Sequence, residues 1–566
     1  MMPRLPRFTC RLALAAVAGL AHAPTAAAAG SVAKPSPFPH DIPKMALVTD
    51  TSGIDHRYTG PWEYFVGGGV ATFDCNGDRR PDLVIAGGAS DAQLYVNRSQ
   101  AGGAIRFDVA PTALPAAVRK RVLGAYPIDI DNDGRKDLVL LRVGGNAILK
   151  GGPDCSFTRA ARRFAIAPGR AWTTSFAATF EAGASTPTLA FGNYVDRAAP
   201  GSPWGTCHDN VVFRGSADRT PPNYAEAAQA ITGHCTLSLL FTDWDRSGTP
   251  ALRVTNDRQY YRGGEEQLWR LAPGRPARPF RRADGWRSLK IWGMGIAEAD
   301  LDADGFPEYA LTSMGDTKLQ VLDREADDLR PVYRDAAFAK GATAHRPYTG
   351  GDLKPSTGWH AAFADFNNDA RTDLLITKGN VEQMPEFAAT DPDNLLLGTH
   401  DGRFHEAGAD AGIALPTRGR GAAVADLNMD GRLDLVIVNR DAQVAVFQNR
   451  GARTQDTARQ REMGNWLQLE LSQADINRDA VGATILIKTG NLTQSRRVFV
   501  GGGHASGALG FVHVGLGVAE RAVVRVRWPD GDWSPDYRVF ANNFVILPRG
   551  AAKARYWFPP AASQSE

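Results

Sequence analysis

The chain has 566 residues, with 64 Lys and Arg against 61 Asp and Glu, 59 Gly, 35 Pro and 9% aromatic residues. That length supports a large core plus a smaller domain, and the Gly- and Pro-rich composition favours strands and turns over helices. Balanced charge gives no electrostatic footprint for nucleic acid or for an anionic membrane.

Residues 1–29 read as a targeting segment. Arg4, Arg7 and Arg11 precede a short apolar core, LALAAVAGLA from Leu12, and Ala21-His22-Ala23 is a small-x-small cleavage site, with further options between Ala26 and Ala29. The core is too short to span a bilayer, and no later stretch is long enough. Cys10 lies before the core, so it is not a lipid-attachment cysteine. Loss of the three arginines leaves a formally neutral, exported chain, destined for periplasm, cell surface or medium. Residues 30–44 read as a linker.

A nine-residue acidic loop then recurs: DCNGDRRPD from Asp74, DIDNDGRKD from Asp129, DLDADGFPE from Asp300, DFNNDARTD from Asp365 and DLNMDGRLD from Asp426, with a weaker DWDRSGTPA from Asp243. Oxygen side chains at positions one, three, five and nine are how a short loop wraps a hard cation such as calcium. The candidate ligands are Asp74, Asn76, Asp78 and Asp82; Asp129, Asp131, Asp133 and Asp137 with the carbonyl of Arg135; Asp300, Asp302, Asp304 and Glu308; Asp365, Asn367, Asp369 and Asp373; and Asp426, Asn428, Asp430 and Asp434. The loop at Asp129, with four carboxylates and Gly134 at the turn, reads as the best site, and that at Asp300 as the second. Metal-free Asx turns are the rival reading. An EF-hand would need a Glu at position twelve and flanking helices. Here position twelve is Ile85, Leu140, Leu311, Ile376 and Ile437, inside β-rich runs, so each loop enters a buried strand.

The loops start at 74, 129, 243, 300, 365 and 426, so one gap is about twice the others. A degenerate copy fills it around Phe180 to Asn193, with the strand pattern kept and the acids lost. Seven units of about 58 residues, each with several short strands, predict an all-β fold: a seven-bladed β-propeller over residues 45–450. Segments from Arg106, Pro331 and Arg403 read as outer strands. The seventh unit lacks one, whereas MALVTDTSGID from Met45 precedes the first, so the N-terminal piece is expected to complete the last blade and leave no open edge.

Residues 451–464 are polar and linker-like. From 465 to 547, WLQLELS, ATILIKTG, RRVFVGGG, AVVRVRW and NNFVILP predict a small separate β domain, followed by a tail over 548–566. Cys75, Cys155, Cys207 and Cys235 permit two disulfides in three connectivities, or free thiols. Cys207–Cys235 is preferred because it ties down the irregular stretch PGSPWGTCHDN from Pro200. That sector, with its lost metal ligands in units three and four, is expected to use the disulfide in place of a cation and to carry the ligand surface.

Enzyme signatures are weak. Glycosidases need one differentiated pair of carboxyl groups, whereas here similar clusters repeat in one local frame. GGPDCSF is no nucleophile elbow, and the Gly runs at Val66 and Phe499 open no helix that could cradle phosphate. Trp62-Glu63-Tyr64-Phe65 could stack a sugar or simply pack, and His513 could be a ligand, a base or a structural histidine.

Loops with apolar flanks such as VATFDCNGDRRPDLVIAGG resemble the FG-GAP/VCBS repeats of integrin-type propellers. NRDAVGATILI from Asn477, HVGLG from His513 and VRWPDG ending at Gly531 resemble the UnbV/ASPIC domain. The pairing, in that order, is similar to bacterial relatives of cartilage acidic protein 1. The resemblance departs at the third unit, at Ala251 in position nine and at Ala370 in the usual Gly position, which puts metal binding in those three loops in question. Together these features predict an exported, calcium-stabilised, non-catalytic binding or scaffold protein for a protein or carbohydrate ligand. An exported enzyme, for instance a carbohydrate-active one, and an adhesion or assembly factor are the alternatives.

Overall fold

The computed structural model describes residues 42–560 except 197, 200–205, 218–221, 258–262, 325–328, 344–353, 382–383, 385–386, 389–390 and 454–462. The expected leader and most of the linker at 451–464 lie outside the described residues. Within them the fold is all-β, and helices are single turns such as Thr49–Ser52 and Gly408–Ala411.

Seven four-stranded antiparallel sheets follow one another along the chain, consistent with a β-propeller. Their first, innermost strands are Val70–Phe73, Val122–Ile128, Thr173–Thr179, Thr236–Thr242, Gly293–Ala299, Gly358–Ala364 and Gly419–Ala425. Each lies beside the innermost strand of the next sheet, and the seventh lies beside the first. The acidic loops join first to second strands. Second strands such as Asp82–Ile85 and Asp434–Asn439 are buried along their length because neighbouring sheets cover both faces, which is why they read as unbroken aliphatic runs.

The last sheet is completed by Ile42–Leu47, antiparallel to Ala445–Arg453 with Met45 opposite Asn449 and Leu47 opposite Phe447. The Thr49 hydroxyl donates to the Val444 carbonyl and accepts the Val446 N–H at 2.9 Å, locking the turn that follows. The closing strand starts three residues before the expected boundary at 45, and its partner runs past 450 to Arg453. Two disulfides form, Cys75–Cys155 and the preferred Cys207–Cys235, each with Cα atoms 4.8 Å apart.

The C-terminal domain has two four-stranded sheets. One orders Val512–Gly517, Asn465–Ser472, Asn543–Pro548 and Arg555–Trp557; the other orders Leu492–Arg497, Thr484–Thr489, Arg521–Arg527 and Tyr537–Phe540. The strand at Arg555 falls in what reads as a tail. Trp557 packs edge-on to Phe544 at 5.3 Å, an anchor that short-range pattern does not display.

Between these sheets, residues 498–509 leave the C-terminal domain as an arm. Gly507–Leu509 adds a parallel strand to Val70–Phe73 of the first sheet. The Ala125 N–H donates to Ala505 O, Ala178 N–H to Val500 O, Gly502 N–H to Leu239 O, Gly503 N–H to Ile296 O, and His504 N–H to His360 Nδ1 at 3.0 Å. The arm therefore bonds the innermost strands of sheets one to six, and it also packs against Gly421 of the seventh. The two glycine runs meet here. A Cβ on Gly69 would lie 1.8 Å from Ala505 O, and one on Gly503 would lie 2.3 Å from the His360 ring.

Removing residues 45–55 should abolish soluble expression, because the seventh sheet then has a bare edge; a well-folded deletion protein would refute the closure. Gly69→Ala should cost about 3 kcal/mol in denaturant unfolding, since neither backbone can yield. A variant as stable as the parent would mean that the arm does not occupy the axis in solution.

Candidate functional site

The five acidic loops and the weaker sixth share one backbone path. Positions four and six are left-handed: Gly77, Asn132, Arg246, Ala303, Asn368 and Met429, then Arg79, Gly134, Gly248, Gly305, Ala370 and Gly431. Ala370 (φ 69°) and Arg79 (φ 64°) thus adopt the glycine conformation, at about 1–2 kcal/mol each. The position-one carboxylates of Asp74, Asp129, Asp300, Asp365 and Asp426 each accept the N–H of position six at 2.7–3.1 Å. At position five, Asp78, Asp133, Asp304, Asp369 and Asp430 accept the N–H of position seven.

Position nine has a second role that the motif did not reveal. Asp82, Asp137, Glu308, Asp373 and Asp434 are buried, and each accepts the N–H of loop position two. All but Glu308 also accept an N–H from the end of the third strand, from Asn97, Gly151, Gly398 and Asn449. This acid pins the loop to its own sheet. In the third unit the Thr188 hydroxyl does the same for Gly215, and Ala251 in the fourth has nothing to offer.

Burial pushes these acids upward: Asp129 to about 6, Asp82 and Asp137 to about 7, Glu308, Asp365 and Asp426 to about 8, and Asp373 and Asp434 well above the usual carboxylate range. A divalent cation would keep them ionised. The residues fit one in the fifth and seventh loops. Ligand oxygens of Asp300, Asp302 and Asp304 lie within 4.8 Å of one another. Asp300 Oδ1 and Asn428 Oδ1 are buried without a hydrogen-bond partner. Calcium there would supply charge neutralisation and loop rigidity. In the second loop Asp129, Asp131 and Asp137 also converge, but Lys150 Nζ stands among the acids, 2.5 Å from Asp131 Oδ1 and 2.7 Å from Asp133 Oδ2.

The loop face is the seat of the C-terminal domain. Arg79 pairs with Glu470 at 2.9 Å, Lys136 with Asp479 at 2.7 Å, and Arg497 with Glu298 at 2.9 Å. Ser495 donates to Asp300, and Gln468 to Asp426. Asn477 N–H donates to the Asn132 side chain. His513 donates to Asn368 Oδ1 at 2.8 Å and accepts from Gln468, and burial pushes its pKa down to about 3, so it is a neutral structural histidine. The Trp62 patch also packs, against Phe65 and Trp172.

A cavity of about 1030 Å³ lies between the loop face and the C-terminal domain. Ala297, Ala361, Ala364 and Ala425 line its ring side, and Leu486, Arg496 and Phe511 its other wall. It sits mainly over sheets one, five, six and seven. Units three and four, expected to carry the ligand surface, contribute only Asp243 and Arg246 to this lining. Cys207–Cys235 lies at the entry to the fourth sheet's first strand, whereas the acidic loop follows that strand's exit, so the disulfide does not replace a cation. Arg214 pairs with Glu181 in the third unit, and Arg527 with Asp243 in the fourth at 3.3 Å.

The raised acids bind protons more tightly in the folded than in the unfolded chain. Their contribution to metal-free stability is complete below about pH 4 and is lost as pH rises through about 8. Chelated protein should therefore melt at a lower temperature at pH 8.5 than at pH 5.5, and calcium should raise the melting point more at the higher pH. A chelated protein whose melting point is flat or rising over this range would contradict the burial of uncompensated acids.

Residues 74–178 match the FG-GAP-like repeat family, and residues 474–554 match the ASPIC and UnbV family. No curated protein matches the chain. Among solved structures, BBS1N in complex with ARL6DN is similar at 10% identity and TM-score 0.40, covering 73% of this chain and 99% of that one. A hypothetical selenium-binding protein from Sulfolobus tokodaii is similar at 10% and 0.37, covering 74% and 95%, and an Agrocybe aegerita lectin at 15% and 0.30, covering 68% and 78%. Likenesses this distant carry no functional argument. The chain carries FG-GAP-like repeats followed by a C-terminal ASPIC and UnbV domain.

Proposed function

We propose that the seven sheets are the blades of a closed, calcium-stabilised propeller, and that the chain is an exported, non-catalytic binding or scaffold protein. Its ligand, a carbohydrate or a peptide segment of a protein, sits in the cavity between the loop face and the C-terminal domain. That cavity is the observation that carries the reading. At about 1030 Å³ it matches the upper range of ligand sites, and its wall combines small apolar side chains with a few charged groups. The repeated acids bond to backbone N–H groups in every good loop, which suits a structural task rather than turnover. Two disulfides support folding in an oxidising compartment.

Glycan and peptide arrays probed with calcium and with chelator would identify the ligand class. Ala364→Trp, which fills the cavity from the sixth blade, should weaken binding at least tenfold while leaving the melting temperature within a few degrees of the parent. Undiminished binding by a folded Ala364→Trp protein would place the ligand elsewhere.

A further inference from the structure

The second loop has the fullest set of carboxylates and also brings its own cation. Lys150 Nζ lies 2.5 Å from Asp131 Oδ1, 2.7 Å from Asp133 Oδ2 and 3.5 Å from Asp137 Oδ1, so it faces positions three, five and nine at once. Arg163 adds a contact to the other Asp131 oxygen at 3.3 Å. The Lys150 side chain is only 14% exposed, so the ammonium is enclosed by these acids rather than resting on the surface.

In the other good loops Arg80, Arg324, Arg371 and Arg432 pair with the position-five acid, and register shows why Lys150 reaches three acids of its loop at once. Leu138 pairs with Leu149, which sets Asp137 opposite Lys150 on the third strand. The equivalent site, opposite position nine, holds Val96, Val321, Leu397 and Gln448 in blades one, five, six and seven. It holds Lys150, Arg214 and Arg270 in blades two, three and four. Blades three and four are the two whose loops have lost acids at ligand positions, although the fourth keeps Asp243 and Asp245. Arg214 turns to Glu181, and Arg270 lies over the Phe280 ring. A basic residue at this site thus accompanies the loops with an incomplete ligand set, and blade two carries the same mark despite its full complement of Asp.

A calcium ion takes carboxylate oxygens at about 2.3–2.6 Å, so it would need the volume that Lys150 Nζ holds and would be repelled by the same charge. We propose that the second loop is neutralised from within: the Lys150 ammonium holds its cation seat, and the loop takes no calcium. The metal-binding loops are then those starting at Asp74, Asp300, Asp365 and Asp426. This last count rests on the calcium reading above, whereas the role of Lys150 does not.

The test is Lys150→Met, compared with the parent and with Lys150→Arg. In chelator, Lys150→Met should melt several degrees below the parent, because its acids lose their partner, and Lys150→Arg should stay near the parent. In millimolar calcium, Lys150→Met should recover and bind one more ion per chain than the parent, measured by equilibrium dialysis from verified apoprotein. Lys150→Gln reads out in the same way if the Met variant does not accumulate. Equal melting of Lys150→Met and parent in chelator would overturn the proposal, and so would loss of one bound calcium on Asp131→Asn in the parent. Should no protein bind calcium, the calcium reading falls, and the melts in chelator still decide whether Lys150 holds the loop.

Discussion

The innermost strand of every sheet in this protein is an edge strand, and its free N–H and C=O groups point away from solvent. Buried edges of this kind demand partners. Much of that need is met by one stretch of chain, residues 498–509, which bonds in turn to Ala178, Leu239, Ile296, the His360 side chain and Ala125 before pairing with Val70–Phe73; Thr174, Thr312 and Thr377 hydroxyls and Gly68 O meet more of it. The consequence is cooperative. The C-terminal domain is not an appendage but the source of a segment that bonds the first strands of six sheets. Val500 and Ala505 on the arm are fully buried. Glycines on both sides permit the approach, since Gly69 and Gly124 both face the Ala505 carbonyl within 2.3 Å of where a Cβ would stand.

The loop face follows from a second constraint, the cost of desolvated acids. Each good loop buries its position-nine acid, while acids such as Asp133 and Asp302 stay exposed, so the cost falls on the buried members. Chain-borne cations meet part of that need. Arg527 serves Asp243, Arg497 serves Glu298, and Lys150 serves the second loop. Buried ion pairs of this sort add little net stability compared with apolar packing. The Arg527 and Arg497 pairs fit one orientation of the C-terminal domain on the sheets, whereas Lys150 acts within the second sheet. A calcium reading for the remaining loops and a lysine in the second are two solutions to one electrostatic problem.

Features encoded locally were legible in the sequence. The acidic loops and the aliphatic strand after each depend on neighbours a few residues away, and the outer-strand piece at Met45 was legible because the seventh unit lacks one of its own; the structure shows all three. Cys207 and Cys235 were paired from the irregular stretch between them. What escaped depends on distant chain. The glycines at 501–503 read only as a run that opens no helix, because their reason is a close approach to Ala177, Ile296 and His360. Lys150 escaped because its meaning requires strand register: it lies thirteen residues beyond the loop's last acid and faces it only once the hairpin is formed. Aligning the third strands of the units would have shown the signal, a basic residue in units two to four against Val, Leu or Gln elsewhere. The disulfide expected to replace a cation in unit four formed, but it and the acidic loop sit at opposite ends of the same strand, Thr236–Thr242.

The cavity joins these constraints. Its walls come from the innermost strands, the C-terminal domain and the loops themselves, and Asp74, Asp300 and Asp426, all at position one, are among its lining residues. In each of these loops the position-one carboxylate orients the backbone through the N–H of position six. A cation held by those acids would therefore fix part of the cavity wall, and a ligand resting on that wall would stabilise the cation-bound loop. Linkage makes the effect reciprocal: whatever factor calcium contributes to ligand affinity, the ligand contributes to calcium affinity. The loops at Asp74, Asp300 and Asp426 thus contribute to the cavity wall through acids that also set their backbone, whereas in the second loop Lys150 meets Asp131 and Asp133 directly.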